Sequence, residues 1–272
     1  MKELVPPNYS GVVSLRRGSP EKREILFEEA FGYADIPNQR PNKLSTRFGT
    51  ASAGKALVAV GILSLVEEGA ISLETPLKDI ATRDGGFDLG TIPPEVTIRD
   101  LLTHTSGIGD YFDEETMEDY AELWHDFPNY RIRSSRDLLP LINTKTPAFP
   151  RGQRFAYNNA GFVILDLVIE TLTGEVFDRY LARKVLAPAS LEAMLSPHSR
   201  EEGGDSYGLG IWLRKAPDSE ERYIPYFTGS DPGASFISSH DPKDGSTATL
   251  FSNRGDNVCE LEWKLREAIA RK

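Results

Sequence analysis

The feature that most constrains the fold is the order of the sequence patterns. Strand-like runs lie at both ends of the chain, and helical patterns lie between them. Residues 9–16 and 24–34 are rich in β-branched and aromatic residues and flank a charged turn, which predicts a hairpin. Four more such runs occupy the last third: Tyr207–Leu213, Arg222–Gly229, Ala234–His240 and Ser246–Ser252. An amphipathic helix, Asn257–Lys272, closes the chain. We therefore predict an α+β fold with one antiparallel sheet, assembled from residues 1–48 and 205–272 and flanked by helices, and an inserted, mainly helical subdomain at 49–204.

The helical block begins with a polar head followed by an apolar run. Residues 56–66 are apolar nearly all round, which is typical of a helix buried in a core, and Gly69 is placed to end it. Ser52 and Lys55 stand at the head of this run with a spacing that puts them on one face of a helix. A lysine in the first turn of a buried helix is unfavourable unless it has a partner or a task.

Ser52 and Lys55 are candidates for a nucleophile and its base. A serine hydroxyl attacks a carbonyl well only if a base takes its proton, and a desolvated lysine can do so. The free N–H groups of a helix head would also stabilise the resulting oxyanion. Taken alone, the spacing fits equally well a serine that caps the helix and a lysine that reaches water. A second Ser-x-x-Lys, Ser19 and Lys22, lies in a charged turn where nothing would desolvate the lysine.

Composition excludes several classes of partner. The chain has 31 Lys and Arg against 41 Asp and Glu, a net charge of −10 that would repel nucleic acid. The single Cys259 and four scattered histidines predict neither a metal site nor another cofactor. No apolar run approaches the ~20 residues of a membrane span, and Met1–Pro7 lacks the apolar core of a signal peptide, so we expect a cytoplasmic protein. The pattern predicts no oligomeric state.

Two further polar motifs occur along the chain. Tyr157-x-Asn159 precedes an apolar helix predicted for Ala160–Thr173; alone it fits core packing and a helix cap as well as function. Thr97-Ile98-Arg99-Asp100 resembles a capping signature that opens a short helix. This helix runs into Leu101–Gly107, where His104 lies at the helix end before a Ser-Gly turn. We interpret His104 as structural, because a ring nitrogen there can hold the backbone in place.

In this order, Ser52-x-x-Lys55, Tyr157-x-Asn159 and Thr228-Gly229-Ser230 resemble the motifs of the penicillin-recognising serine hydrolases. The chain is similar over nearly its whole length to the branch that contains class C β-lactamases, DD-peptidases, D-aminopeptidases and family VIII esterases. The resemblance implies a single β-lactamase-like domain. It also implies that Ser52 is acylated, with Lys55 and Tyr157 as proton-transfer partners.

The resemblance assigns substrate contacts as well. Asn159 would bind the amide side of the substrate, the strand motif Thr228-Gly229 would line the site, and the backbone N–H groups of Ser52 and Ser230 would form the oxyanion hole. An ammonium beside a tyrosine favours the tyrosinate, so Lys55 and Tyr157 together make a competent base. Nothing resembles the separate deacylating glutamate of class A β-lactamases, so the same pair would also activate water.

The chain departs from the family at Phe227, where relatives carry lysine or often histidine. That cation helps to bind a substrate carboxylate, so its absence argues against penicillins and D-Ala-D-Ala peptides. The resulting expectation is an esterase-type hydrolase for small neutral ester or amide substrates. A β-lactamase or a D-amino-acid peptidase or amidase is the alternative.

Two other interpretations remain open at this point. Gly204–Gly208 matches Gly-x-Ser-x-Gly around Ser206, and Asp231 and His240 follow in the order of an α/β-hydrolase triad. A nucleophile elbow needs a strand before the serine and a helix after it, whereas a polar loop precedes Ser206 and a strand-like run follows. The second interpretation is a binding or assembly module that keeps the fold without catalysis, with Phe227 as a mark of decay.

Overall fold

A computed structural model describes residues 1–19, 22–112, 117, 123–182, 188–202, 204–217, 219–254 and 258–270. Its strands are β1 Gly11–Ser19, β2 Lys22–Phe31, β3 Tyr33–Asp35, β4 Arg40–Pro41, β5 Ser199–Arg200, β6 Ser206–Tyr207, β7 Trp212–Ala216, β8 Ser219–Asp231, β9 Ala234–Asp241 and β10 Ser246–Ser252. Its α-helices are α1 Gly54–Glu67, α2 Lys78–Ala81, α3 Ile98–Leu102, α4 Leu123–Asp126, α5 Leu139–Ile142, α6 Asn159–Thr173, α7 Phe177–Leu181, α8 Pro188–Met194 and α9 Val258–Ala270. By its contacts the chain divides into two compact units, which we call the sheet unit (Met1–Gly54 with Trp212–Lys272) and the helical unit (Lys55–Ile211).

The sheet unit is an antiparallel sheet drawn from both ends of the chain. Its strands follow the order β2-β1-β10-β9-β8-β7, so the first hairpin pairs directly with the last strand. Side chains of β10 alternate between buried and partly exposed, as a sheet with one covered face requires. Val13, Leu15, Ile237, Leu250 and Leu265 belong to the core between this face and α9. The predicted antiparallel sheet from both chain ends is confirmed.

The helical unit is organised on α6. This helix packs against α2, α3, α5 and α7, and its residues Ile164, Leu165 and Leu167 are fully buried. Asn158 caps its start and Gly174, at φ +66°, ends it in the left-handed conformation. The helix predicted for 160–173 therefore exists and begins one residue earlier.

The observed elements differ from the expectations in three places. Ser52 lies in a 3₁₀ turn, Ala51–Ala53, and the α-helix begins only at Gly54. Gly85-Gly86 and Pro93-Pro94 predict a loop over 70–96, but helix α2 interrupts it, and α8 has no counterpart in the sequence pattern. The pattern also predicts a helix near 114–126; most of that range lies outside the described residues, and α4 is its described part.

Candidate active site

Ser52 sits on a strained turn of the sheet unit. Ala51, immediately before it, has φ +46°, a conformation that residues with a Cβ seldom adopt. The turn is closed by a 3.1 Å hydrogen bond from the N–H of Ala53 to the carbonyl of Thr50. Ser52 itself is half-buried. Such strain costs on the order of 1–3 kcal/mol and clusters at functional sites, so it marks this turn as a candidate nucleophile position.

Strand β8 passes very close to this turn at Gly229. A Cβ on Gly229 would lie 2.4 Å from the carbonyl oxygen of Thr50, 2.5 Å from the nitrogen of Ser52 and 2.8 Å from that of Ala53. No side chain fits there, so the Gly229 backbone must lie directly against the Ser52 backbone. Ser230, the next residue, pairs with Ser235 at the end of β8 and is exposed.

The residues of β8 before Gly229 face aromatic and backbone neighbours. Phe227 is half-buried, and its ring centroid lies 5.5 Å from that of Phe236. Phe236 in turn lies 4.6 Å from Phe251. The Thr228 hydroxyl donates a hydrogen bond to the carbonyl of Phe236 at 2.7 Å. Position 227 thus adds an apolar ring where the resemblance implies a cation.

In the helical unit, the lysine of one motif binds the asparagine of another. The Lys55 ammonium donates to Oδ1 of Asn159 at 2.9 Å, although the two residues are 104 positions apart. The same nitrogen lies 4.9 Å from the centroid of the Tyr157 ring and 5.9 Å from that of Phe162. An ammonium near an aromatic face is electrostatically favourable. Lys55, Tyr157 and Asn159 are therefore neighbours.

The start of α6 has every first-turn donor satisfied. Asp110 accepts from the N–H of Asn159 at 2.5 Å and from that of Ala160 at 3.0 Å. Asn158 accepts from the N–H of Gly161 at 2.7 Å. Helix starts normally leave these donors without an intrahelical partner. Asp110 was not identified from the sequence, since a lone aspartate in a loop carries no motif signal.

His104 is a buried, neutral support. Its Nδ1 accepts from the N–H of Asn158 at 3.0 Å, which leaves the ring proton on Nε2. The ring centroid lies 4.5 Å from that of Tyr157 and 4.7 Å from that of Tyr207. Burial, with the charge of Lys55 as a second cause, holds the pKa of His104 well below its ordinary 6.5. These contacts agree with a structural role.

Burial shifts the pKa of Asp110 upwards, opposite to its effect on the pKa of His104. Burial raises its pKa from 3.8 to about 6, although its backbone hydrogen bonds and the charge of Lys55 work against the rise. Asp110 also lines a cavity of about 320 Å³ together with Tyr157, Lys145 and Arg154. Asp110 therefore gains its proton at a higher pH than an ordinary aspartate does.

The arginines that could replace the missing cation have other contacts. Arg151 pairs with the buried Asp100 at 2.6 Å, and Asp100 also completes the predicted capping box of α3. Arg254 donates to the carbonyl of Asn8 at 3.0 Å. Arg154 lies 4.4 Å from the centroid of the Phe149 ring on the wall of the cavity.

The competing serine lacks the required backbone context. Ser206 is buried inside the short strand β6 and is followed by turn residues and β7, so it does not stand on a strand-to-helix elbow. His240 instead contacts Thr247 across β9 and β10. Within the described ranges, no three His, Cys, Asp or Glu side chains group in a way that could hold a metal ion, and no helix there has the length and apolarity to cross a membrane.

The fold and these motifs define a class of protein. A penicillin-binding protein from Bacillus halodurans superposes on 96% of this chain and 97% of its own with a TM-score of 0.84 and 28% identity. A D-amino acid amidase from Ochrobactrum anthropi shares the fold at a TM-score of 0.74 and 17% identity, over 99% of this chain and 96% of its own. The architecture is thus that of the penicillin-binding and β-lactamase-like proteins.

The Beta-lactamase family model matches residues 20–194, and the chain belongs to that family. Penicillin-binding protein 4* of Bacillus subtilis is 27% identical over 81% of this chain and 48% of its own length. Esterase EstB of Burkholderia gladioli is 33% identical over 56% of this chain and 39% of its own. The chain spans about half the length, or less, of these two curated relatives.

Proposed function

We propose that this chain is a serine hydrolase that forms an acyl-enzyme on Ser52 and acts as a carboxylesterase on small, neutral esters or amides. The hydrogen bond between Lys55 and Asn159, with the Tyr157 ring beside it, carries the proposal. Lys55 and Asn159 belong to different motifs, 104 positions apart, and their polar groups lie within hydrogen-bond distance. The family match and the esterase among the relatives support the same reaction class.

In the proposed acylation, Ser52 Oγ attacks the carbonyl carbon while Tyr157, assisted by the Lys55 ammonium, takes the hydroxyl proton. The backbone N–H groups of Ser52 and Ser230 stabilise the oxyanion. The bond from the carbonyl carbon to the leaving oxygen of an ester, or to the leaving nitrogen of an amide, then breaks, and the leaving group receives the proton from Tyr157. The close approach of Gly229 to the Ser52 nitrogen supports this use of the β8 backbone.

Deacylation reverses these roles with water as the nucleophile. The Tyr157 and Lys55 pair removes a proton from water, water attacks the acyl carbon, and the proton returns to Ser52 Oγ as the ester bond breaks. Asn159 would bind the amide side of a substrate that has one, and Thr228 and Gly229 would line the site. No cofactor takes part in the proposed cycle.

Phe227 supports the choice of neutral substrates. A carboxylate that loses water on binding is penalised by several kcal/mol unless a cation or enough donors replace that water. The Phe227 ring supplies neither, but it offers apolar contact to an acyl or alcohol group. The names of the relatives, penicillin-binding protein and D-aminopeptidase, favour peptidase or β-lactamase activity as the second candidate.

Active-site labelling tests the proposal directly. The protein is incubated with a fluorophosphonate, its intact mass is measured, and the modified residue is located by peptide mapping. We expect one adduct, on Ser52, that is absent from Ser52→Ala and retained in Ser206→Ala. An adduct on Ser206, or none on the folded protein, would contradict the mechanism and favour the binding-module interpretation.

We also propose that the protein works in the cytoplasm as a small-molecule enzyme. Its single cysteine, Cys259, is free, which suits a reducing compartment. Fractionation of the native source with an antibody against the protein tests this proposal, and recovery outside the cytoplasm contradicts it.

A further inference from the structure

We propose that Asp110 is a positioning residue for the hydrolytic reaction: it fixes the first turn of α6 and thereby holds Asn159 where it binds the Lys55 ammonium. This inference rests on the proposed function of Lys55 and Asn159. Asp110 itself belongs to none of the three motifs. Its role follows from a chain of contacts within the helical unit.

The first link is the hold of one carboxyl on two consecutive backbone donors. Oδ2 of Asp110 accepts from the N–H of Asn159 at 2.5 Å, and Oδ1 accepts from that of Ala160 at 3.0 Å. Each carboxylate oxygen accepts one of these two hydrogen bonds, at the positive, N-terminal end of α6. The position of the Asn159 backbone is therefore set by the Asp110 carboxylate.

The second link fixes the Asn159 side chain from the same loop. Its Nδ2 donates to the carbonyl of Phe112 at 3.3 Å, and the N–H of Phe112 in turn contacts Oδ1 of Asp110 at 3.4 Å. With Nδ2 held there, Oδ1 of Asn159 points to the Lys55 ammonium at 2.9 Å. Loss of the carboxylate would release the backbone of Asn159 and let this amide, and Lys55 with it, move.

The third link is the sensitivity of this hold to pH. Among the residues that the structure describes, the charged or titratable groups near Asp110 include Lys55 on α1 and, on the wall of the shared cavity, Lys145, Arg154 and Tyr157. The cavity of about 320 Å³ gives water a route to the carboxyl. When Asp110 gains a proton, one of its two oxygens becomes an O–H donor. The carboxyl then no longer accepts equally well from both N–H groups. Because its pKa is about 6, the hold weakens as pH falls through that value.

The test compares Asp110→Asn with Asp137→Asn as a matched control. Asp137 also accepts from two backbone N–H groups, those of Arg133 and Ser134, at the start of a short helical segment in the same unit. We expect Asp110→Asn to lower kcat/KM for p-nitrophenyl butyrate by up to about 100-fold, the effect of a small misplacement of catalytic groups. In the wild type we expect kcat/KM to fall as pH drops below about 6, and this fall, the acid limb of the pH profile, should be absent from Asp110→Asn. Asp137→Asn should keep both the rate and the limb.

A second measurement needs neither turnover nor a folded Asp110 variant. In Ser52→Ala, the backbone amide signals of Asn159 and Ala160 and the Lys55 Nζ signal are followed by NMR from pH 4.5 to 8. We expect all three to move together with a midpoint near 6, the pKa of Asp110. Amide signals that titrate without Lys55, or an unchanged acid limb in Asp110→Asn, overturn the inference. Absent labelling of wild-type Ser52 instead contradicts the proposed hydrolase, so the two failures are distinguishable.

Discussion

The candidate residues of the sheet unit and those of the helical unit depend on different kinds of structural feature. In the sheet unit the decisive features belong to the backbone: the strained Ala51 before Ser52, and Gly229, whose hydrogen leaves room for the Ser52 nitrogen. In the helical unit they are buried or partly buried side chains, with Lys55 on Asn159 and Asp110 under the same helix turn. A backbone feature is damaged by added volume, whereas a side-chain network is damaged by removed charge.

The largest effects should come from removing side chains of the helical unit. Lys55→Ala and Tyr157→Phe each remove a proposed proton-transfer group, so we expect kcat on a p-nitrophenyl ester to fall by roughly 10²- to 10⁴-fold. Steady-state kinetics with protein of verified fold measures the loss.

Two surface variants serve as controls for these losses. Lys78→Ala and Tyr130→Phe make the same chemical changes at exposed positions and should leave the rate unchanged. If Lys55→Ala and Tyr157→Phe kept the wild-type rate while Ser52→Ala was inactive, the proton path would be wrong.

The sheet unit should respond to a single methyl group. In Gly229→Ala the new Cβ would lie within 2.8 Å of three backbone atoms of the Ser52 turn, so the turn or β8 must shift. If the oxyanion donors are displaced, kcat should fall by about 10²- to 10³-fold. Gly49→Ala is the control, because its Cβ would meet only the Ala234 Cβ at 3.9 Å. Equal rates in the two variants would show that the close approach has no part in catalysis.

Sequence reasoning predicted the strands better than the backbone conformation of the Ser52 turn. Strand β10, for example, lies where the run of β-rich residues placed it, at Ser246–Ser252. The 3₁₀ turn and the positive φ of Ala51 carry no residue signal, since alanine is not the residue expected in that conformation. Those features depend on contacts with β8, which lies far along the chain.

Asp110 was missed for the same physical reason. Its partners, the N–H groups of Asn159 and Ala160, are 49 and 50 positions away, so no local spacing indicates the contact. The capping box of Thr97 and Asp100 was predicted because both of its partners are local. Local pairs can be identified from a pattern of residues, whereas long-range caps require the fold.

A smaller effect is expected from changing Phe227 of the sheet unit, which should alter the preference between neutral and charged substrates. Phe227→Lys or Phe227→His adds a cation at the β8 position where the motif resemblance implies one, so kcat/KM should shift towards carboxylate-bearing substrates. The shift should be roughly tenfold for each ~1.4 kcal/mol of recovered anion binding. The measurement compares nitrocefin with a neutral p-nitrophenyl ester, and Phe227→Leu serves as the apolar control. Efficient nitrocefin hydrolysis by the wild type, with negligible esterase activity, would assign carboxylate binding to another cation, with Arg154 on the cavity wall as the candidate.

The smallest effect concerns how the free energy of unfolding depends on pH, and it arises from Asp110 and His104, both in the helical unit. Asp110 has a raised pKa in the folded state, so the native protein holds the extra proton between about 4 and 6 and the free energy of unfolding falls as pH rises through that window. His104 has a lowered pKa, so the unfolded chain takes up its proton first and stability falls as pH drops below 6.5. The two slopes oppose each other, and each is at most about 1.4 kcal/mol per pH unit.

Asp110→Asn removes the pH dependence of stability that comes from Asp110 and leaves the one that comes from His104. Between pH 6 and about 4, its free energy of unfolding should therefore decline more steeply than that of the wild type, as measured by urea unfolding at several pH values. All other carboxyls cancel in the difference between the two proteins. Gly229→Ala changes no ionisable group, so its difference from the wild type should not depend on pH. A pH-independent difference for Asp110→Asn would mean that Asp110 has an ordinary carboxyl pKa and that its burial is matched by its hydrogen bonds.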